Sequence, residues 1–165
     1  MARAAPLRVA PTVVAGGAER GDSVRVGLAA TGDARLIAIH DAARPFVSVE
    51  VIRAVIGAAR THGAALPGIP ATDTIKQVHP DGWVAATPPR ARLWLAQTPQ
   101  VFQADIIRAA HADATGDAGT DDAMLVERLG HRVYVVPGDA QNRKITTLED
   151  LRWAEWVLAR PAVPR

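Results

Sequence analysis

The sequence contains no cysteine, so disulfide frameworks, thiolate nucleophiles and cysteine-ligated zinc are excluded. Aromatic residues make up only 4% of the chain, and 19 basic residues stand against 17 acidic ones. Without basic and aromatic residues interleaved along one segment, the composition is not typical of a nucleic-acid-binding protein. Ser23 and Ser48 are the only serines, and neither lies in the G-x-S-x-G elbow of a serine hydrolase. No apolar run is long enough for a signal peptide or a membrane span, so we expect a cytoplasmic protein.

The remaining composition is that of a globular protein, with 165 residues, 48% of them hydrophobic and 22% charged. This length suits one compact core, and no linker or repeat divides it, so we predict a single domain over residues 1–165. The histidines have no spacing typical of metal ligands, and no transition metal held by the protein is expected. They are His40, His62, His79, His111 and His131.

Short β-branched runs alternate with helical stretches, which predicts an α/β domain with a largely parallel sheet. Four strands are predicted: one that ends at Val14, and three that span residues 36–39, 64–69 and 131–136. The predicted helices span 23–30, 49–63 with Ser48 as N-cap, 104–112, a stretch from a Thr120 cap to Gly130, and a last one capped by Thr147 that ends before Pro161. A glycine-rich loop, 116–119, precedes Thr120. Residues 73–78 and 83–86 flank the turn Pro80-Asp81-Gly82 and predict a two-stranded arm.

Ligands of open α/β sheets bind beyond the carboxyl ends of the strands, so polar residues that follow apolar runs are candidates for a site. Four segments qualify: Gly16-Gly17 with Arg20 and Ser23, residues 40–45, residues 73–76, and residues 142–147. The two glycines have two interpretations. They form either a tight connection that needs positive φ angles, or an exposed turn that meets an anion or a base edge together with Ser23.

Asp41 and Arg44 also allow two interpretations. Asp41 caps its own turn with Arg44 as its ion-pair partner, or it holds Mg²⁺ or a substrate hydroxyl while Arg44 offers its planar fork to a polar ligand. Its place at the end of a strand favours the second. The adjacent Asp121 and Asp122 are interpreted as first-turn acids that favour the helix dipole.

The stretch with Arg90, Arg92 and Thr98 is either an amphipathic strand with solvated arginines or a grip for phosphate. Lysine usage adds a clue, because the only lysines are Lys76 and Lys144, and both lie in candidate segments. A flexible point charge of this kind suits a phosphate that is transferred, although two residues can also fall there by chance.

Taken in order, six segments resemble the successive motifs of the 2-C-methyl-D-erythritol 4-phosphate cytidylyltransferase family. They are GGAERGDSV, HDAARPFV, ATDTIK, LWLAQTPQVF, TDDAMLVERLG and NRKITTLEDL. Each motif is weak alone, but the combination is specific and extends from about residue 13 to 159. The resemblance implies a Rossmann-like nucleotidyltransferase fold with a mostly parallel sheet, and a homodimer joined by a protruding β-arm at about residues 71–98. It also implies Mg²⁺-dependent transfer of CMP from CTP to 2-C-methyl-D-erythritol 4-phosphate in isoprenoid synthesis, with release of pyrophosphate.

The resemblance assigns roles by position. The family's cytosine and ribose contacts match Gly17 and Ser23, beside Gly16, and its aspartate for metal and substrate matches Asp41, next to Arg44. The threonine of the arm matches Thr74, which would reach into the partner subunit's site. The pair that positions the substrate phosphate for attack matches Arg90 and Lys144, with Thr98 and Thr120 supporting the same ligand.

The sequence departs from the family at its beginning. The family opens with a strand, a glycine-rich L-x-A-A-G-x-G-x-R loop and a P-K-Q segment that hold the triphosphate, and none of these is present. A late start codon, a truncated gene or a second chain would explain this, and we expect the first βα units to be missing and the 165-residue chain to be inactive or very weak. The alternatives are a ribitol 5-phosphate cytidylyltransferase, or a catalytically dead module for phosphometabolite binding or oligomerisation.

Overall fold

The computed structural model describes residues 10–114 and 119–159. The helices are α1 (Arg20–Ala29), α2 (Val49–His62), α3 (Ala104–Asp113), α4 (Asp122–Arg128) and α5 (Leu148–Ala159). The strands are β1 (Leu36–Ile39), β2 (Ala64–Pro70), β3 (Gln77–Val78), β4 (Val84–Ala86), β5 (Trp94–Ala96), β6 (Gln100–Gln103) and β7 (Tyr134–Pro137). A single 3₁₀ turn, Arg90–Arg92, precedes β5.

The main sheet has five strands and mixed direction. β6 lies antiparallel between β1 and β2, while β7 pairs parallel with β2. β1, β2 and β7 therefore run in one direction, and β5 and β6 run against them. The α/β Rossmann-like class is confirmed, but three of the four pairings are antiparallel. β5 and β6 both pair with β2 and are separated by only three residues, 97–99, so they form one interrupted strand along β2.

Helices cover both faces of this sheet, as the alternation of side chains along a strand requires. On one face, α2 packs Val55 and Ala59 against Val101 of β6 and Val136 of β7. The other face packs against α1, α3 and α4. Its buried residues are Leu28, Ile37, Ala64, Leu66, Phe102, Ala104, Ile107, Ala110, Ala123, Leu125 and Val126. Successive residues of β2 and of β6 thus point into opposite cores. A shift of one residue in the pairing register would move each of these side chains to the other face of the sheet.

Local signals position several elements as predicted. The Ser48 hydroxyl accepts a hydrogen bond from Val51 N at 3.2 Å, and Gly63 ends α2 with a φ of +89°. A side chain at Gly63 would be strained in this left-handed conformation. At α5, Thr147 and Asp150 bond reciprocally, with Asp150 N to Thr147 Oγ1 at 3.2 Å and Thr147 N to Asp150 Oδ2 at 2.9 Å. This is the capping box that the sequence predicts.

Other boundaries differ from the prediction. Residues 10–17 form no strand with the described part of the chain, and Val13 is almost fully exposed, because an extended segment needs a neighbouring strand to pair with. α1 begins at Arg20 rather than Ser23, and β7 begins at Tyr134 rather than residue 131. The predicted loop 116–119 lies outside the described residues except for Gly119.

The predicted Thr120 cap of α4 is wrong, since Asp121 is the N-cap and its Oδ1 accepts from Met124 N at 2.9 Å. The buried Gln100 fixes Asp121 as the N-cap. Its amide donates to Asp121 Oδ2 at 2.8 Å and accepts from Ala123 N at 2.9 Å. The start of α4 is therefore fixed from β6, which local sequence could not reveal.

The paired strands of the arm are shorter than the predicted 73–78 and 83–86. Only β3 and β4 pair, and Gly82 closes their turn with a φ of +93°. Both strands are exposed throughout. No helix in the described residues is long and apolar enough to cross a membrane.

Candidate functional site

Three loops meet at one edge of the main sheet. β1, β2 and β7 have their carboxyl ends there, so the loops after β1 and β7 carry Asp41 and Lys144 to the same place. Because β6 runs in the opposite direction, its beginning lies at this edge and brings Thr98 with it. The antiparallel strand thus completes the site that the prediction expected at carboxyl ends alone.

Asp41 is the centre of a cluster of charges. Its Oδ2 lies 3.0 Å from Lys144 Nζ and 3.9 Å from Arg44 Nε, while Oδ1 lies 3.6 Å from Arg20 Nε. Burial alone would raise the pKa of Asp41, but the hydrogen bond from Lys144 and the charges of Lys144, Arg20 and Arg44 outweigh it and hold the pKa below its ordinary value. Asp41 is therefore ionised at neutral pH.

Arg44 stiffens the site rather than pairing closely with Asp41. Its Nη1 donates to Asn142 O at 2.7 Å and its Nη2 to Ala96 O at 3.4 Å. Burial lowers the pKa of Arg44, and the nearby charge of Asp41 raises it only in part. The predicted ion pair exists only at the long distance of 3.9 Å. The guanidinium joins the loop after β1 to the loop after β7.

Thr98 serves the backbone of the same loop. It is buried, and its Oγ1 accepts from Asp41 N at 3.0 Å and lies 2.9 Å from His40 Nδ1. His40 Nε2 lies 3.0 Å from Arg44 O, which can only accept, so Nε2 carries a proton. Thr98 and His40 together hold Asp41 in place.

A clasp of two buried amides holds the loop that carries Lys144. Asn142 Nδ2 donates to Thr98 O at 2.8 Å, and Gln97 Nε2 donates to Asp139 O at 2.8 Å. The approach is so close that a Cβ on Gly138 would lie 2.5 Å from Gln97 Oε1. A side chain at Gly138 would force the Gln97 amide out of its position, and no motif in the sequence predicted this clasp.

The turn Gly16-Gly17 lies before α1. Its glycines do not have positive φ angles, so that reason for the glycines is wrong. They are needed because α1 comes close: a Cβ on Gly17 would lie 2.1 Å from Asp22 Cβ, and one on Gly16 would lie 2.9 Å from Ser23 Oγ. Gly17 N donates to Ser23 Oγ at 3.1 Å. The predicted nucleoside residues are thus brought together.

Asp122 is a functional candidate that the prediction of site residues missed, while Arg20 was placed in a candidate segment but given no role. Arg20 Nη2 donates to Asp122 Oδ2 at 2.6 Å, and Asp122 Oδ1 lies 2.9 Å from His111 Nε2. Asp122 is 1% exposed, so its interpretation as a simple first-turn acid is incomplete. Burial would raise the pKa of Asp122, but hydrogen bonds from His111 and Arg20 lower it below the ordinary value. Arg20 bonds to Asp122 across 102 residues of sequence and also lies beside Asp41, so it connects the buried pair to Asp41.

Three predicted site residues lie apart. Arg90 is exposed, and its Nη1 donates to Thr72 O at 2.7 Å. Within the described part of one chain, no hydrogen bond or ion pair joins Arg90 to Lys144. Thr74 is exposed at the base of the arm, and Thr120 is exposed before α4, with its hydroxyl 3.8 Å from Met124 Sδ. Lys76 donates to Thr87 Oγ1 at 2.9 Å, within the arm.

Fold and site together define an α/β protein with three cations around Asp41 at the sheet edge where open α/β sheets bind their ligands. Residues 2–160 match the family model of 2-C-methyl-D-erythritol 4-phosphate cytidylyltransferase. The chain belongs to that family. The resemblance found in the sequence motifs is therefore confirmed.

Individual relatives agree with this assignment. The chain is 51% identical over 151 residues to the 2-C-methyl-D-erythritol 4-phosphate cytidylyltransferase of Syntrophus aciditrophicus, covering 90% of this chain and 64% of that protein. It is similar in structure to the 4-diphosphocytidyl-2C-methyl-D-erythritol synthase of Anaerococcus prevotii, with a TM-score of 0.82, 36% identity and coverage of 89% and 69%. The cytidylyltransferase of Thermus thermophilus gives a TM-score of 0.77 at 37% identity, with coverage of 92% and 78%. The chain spans slightly less than two thirds of several curated relatives that it matches.

Proposed function

We propose that this protein transfers CMP from CTP to 2-C-methyl-D-erythritol 4-phosphate in the non-mevalonate isoprenoid pathway. The products are 4-diphosphocytidyl-2-C-methyl-D-erythritol and pyrophosphate. The observation that carries the proposal is the Lys144–Asp41 contact of 3.0 Å at the sheet edge, in a chain whose family has this name.

The reaction requires a phosphate oxygen to attack the α-phosphorus of CTP in line, so two anions must approach each other. Lys144, a mobile point charge at the site, neutralises and orients the attacking phosphate. Arg44 and Thr98 keep the loop that carries Asp41 fixed. Gly17 and Ser23, with Gly16, bind the nucleoside. Catalysis here is positioning and electrostatic compensation, and it needs no covalent intermediate.

Asp41 is the residue that would hold Mg²⁺. The described residues contain no group of three or more acidic or histidine side chains that could form a metal cage. Nucleotide sites bind Mg²⁺ through one or two carboxylates plus phosphate oxygens, so Asp41 fits a magnesium ion that arrives with CTP. Such an ion spreads negative charge over the triphosphate when bound.

The proposal includes a homodimer formed through the arm, defined as residues 71–98. Trp83 is 76% exposed, and Val78 and Val84 beside it are more than half exposed, so the arm has an apolar surface that a second copy would cover. In the dimer, Arg90 and Thr74 of one arm act in the partner's site. This explains why Arg90 lies apart from Lys144 within one chain. Thr120 contacts the same sugar alcohol phosphate as Arg90 and Lys144.

The test is pyrophosphate release with CTP, 2-C-methyl-D-erythritol 4-phosphate and Mg²⁺. The 165-residue chain is compared with a version preceded by a glycine-rich segment of the family type. Turnover in the longer version, lost in Lys144→Gln, supports the proposal, and we expect little or none in the shorter one. A preference for ribitol 5-phosphate would change the substrate. Sugar phosphate binding without turnover in either version would favour a binding module.

Two further parts of the proposal have separate tests. Sedimentation of the wild type against Trp83→Ser tests the dimer, and identical masses for both would contradict the role of the arm. We also propose a cytoplasmic location, which is tested by fractionating cells that express the tagged chain; recovery in the membrane fraction would contradict it.

A further inference from the structure

We propose that Arg20 is a phosphate-binding residue of the site, held in position by the buried pair Asp122 and His111. The inference rests on the proposed function and deepens it, since the phosphate belongs either to CTP or to the sugar alcohol phosphate.

The position of Arg20 supports a role at the site. It is the first residue of α1, three positions after Gly17, and its Nε lies 3.6 Å from Asp41 Oδ1. Its side chain is 39% exposed, so part of the guanidinium faces solvent. Among the described residues, Nη1 makes no hydrogen bond. Donors thus remain for a ligand that binds beside Asp41.

The anchor fixes the guanidinium before any ligand arrives. Asp122 is almost fully buried and binds Arg20 Nη2 at 2.6 Å. A buried carboxylate requires such a partner because desolvation of an unpaired charge is costly. His111 occupies the other oxygen of Asp122, and its own Nδ1 is buried without a hydrogen bond. Arg20, which is always charged, lies 2.6 Å from Asp122 Oδ2 and compensates the charge of this carboxylate.

The charges around Asp41 leave an excess that suits an anion. Arg20, Arg44 and Lys144 are positive, whereas Asp41 and Asp122 are negative, so one positive charge remains. Nη1 and Nη2 of Arg44 already donate to backbone oxygens, while the side chains of Arg20 and Lys144 are partly exposed. These two side chains are the cations that can reach a phosphate.

The experiment measures dissociation constants by calorimetry for three probes: CTP with Mg²⁺, 2-C-methyl-D-erythritol 4-phosphate, and cytidine without phosphate. The main variant is Arg20→Gln combined with Asp122→Asn, which removes both charges and leaves no unpaired buried carboxylate. Asp122→Asn alone keeps the charge of Arg20 but loosens its anchor. Arg25→Gln is the matched control, since Arg25 lies on the same helix with similar exposure and pairs with Asp22. Thermal unfolding checks that each variant is folded.

We expect the double variant to bind at least one phosphate probe about tenfold more weakly, as for the loss of a charge-assisted hydrogen bond, with cytidine unchanged. The probe that weakens identifies the phosphate. Arg20→Lys should recover part of the affinity, Asp122→Asn should be intermediate, and Arg25→Gln should equal the wild type. A purely structural Arg20 would lower the melting temperature without changing these constants.

Lys144→Gln separates the two hypotheses. If it weakens phosphate binding while the double variant binds both phosphate probes as the wild type does, the role of Arg20 is refuted and the proposed function stands. If the wild type binds neither phosphate probe, both fail.

Discussion

Asn142→Ala tests whether the amide clasp holds the loop that carries Lys144. Asn142 is completely buried, and its Nδ2 is the donor to Thr98 O at 2.8 Å. No other donor to that oxygen occurs among the described residues. Gln97 Oε1 would lose a weaker bond of 3.3 Å from Asn142 but keep one from Asp139 N.

The expected cost follows from these contacts. A buried carbonyl left without its donor costs about 1–3 kcal/mol, and the loss of the side chain adds a small cavity. We expect the free energy of unfolding to fall by about 2–3 kcal/mol, which lowers the melting temperature of a domain of this size by roughly 5–10 °C. The assay is urea unfolding followed by circular dichroism, with a thermal scan in parallel.

Gln141→Ala is the matched control, because Gln141 is the exposed neighbour and only its backbone N is bonded, to Asp139 Oδ1 at 2.8 Å. Its unfolding free energy should stay within about 0.5 kcal/mol of the wild type. The reasoning is refuted if Asn142→Ala is as stable as Gln141→Ala. In the folded Asn142→Ala variant, sugar phosphate binding should also weaken, since Lys144 is two residues away.

Gly17→Ala should destabilise the protein by about 1–3 kcal/mol, because its Cβ would lie 2.1 Å from Asp22 Cβ. Gly27→Ala should instead stabilise it by about 0.5–1 kcal/mol, since open space surrounds that helical position, and urea unfolding that gives both the same sign would contradict this. The pKa of Asp122 is lower in the folded protein than its usual value, so the stability it contributes is complete above about pH 5 and lost as the pH falls through the folded pKa. The free energy of unfolding should therefore fall less steeply between pH 6 and pH 3 in Asp122→Asn than in the wild type. An equal fall in both proteins would refute the linkage. Trp83→Ser should shift a dimer toward monomer in sedimentation without lowering the melting temperature of the monomer, because Trp83 is outside the core.

Elements governed by short-range hydrogen bonds could be predicted from the sequence. Ser48 and Thr147 satisfy amides within three residues, so their caps are local properties. Gly63 ends α2 for an equally local reason, its positive φ. The position of Asp41 could also be predicted, because it follows a short apolar strand. The order of the motifs, including the one that contains Asp41, related the chain to its family.

The tertiary structure decided what depends on distant residues. The antiparallel direction of β6, which carries Thr98 to the site, is fixed by its pairing with β1 and β2 and leaves no mark in strand composition. The Asp121 cap depends on Gln100, and the anchoring of Arg20 depends on a carboxylate 102 residues away. Sequence periodicity reports which face of an element is buried, but not which buried polar groups will meet. The sequence therefore determined the locally capped helices and the family, and the fold determined the pairing of β6 and the electrostatics of the site, because charges and hydrogen bonds act through space.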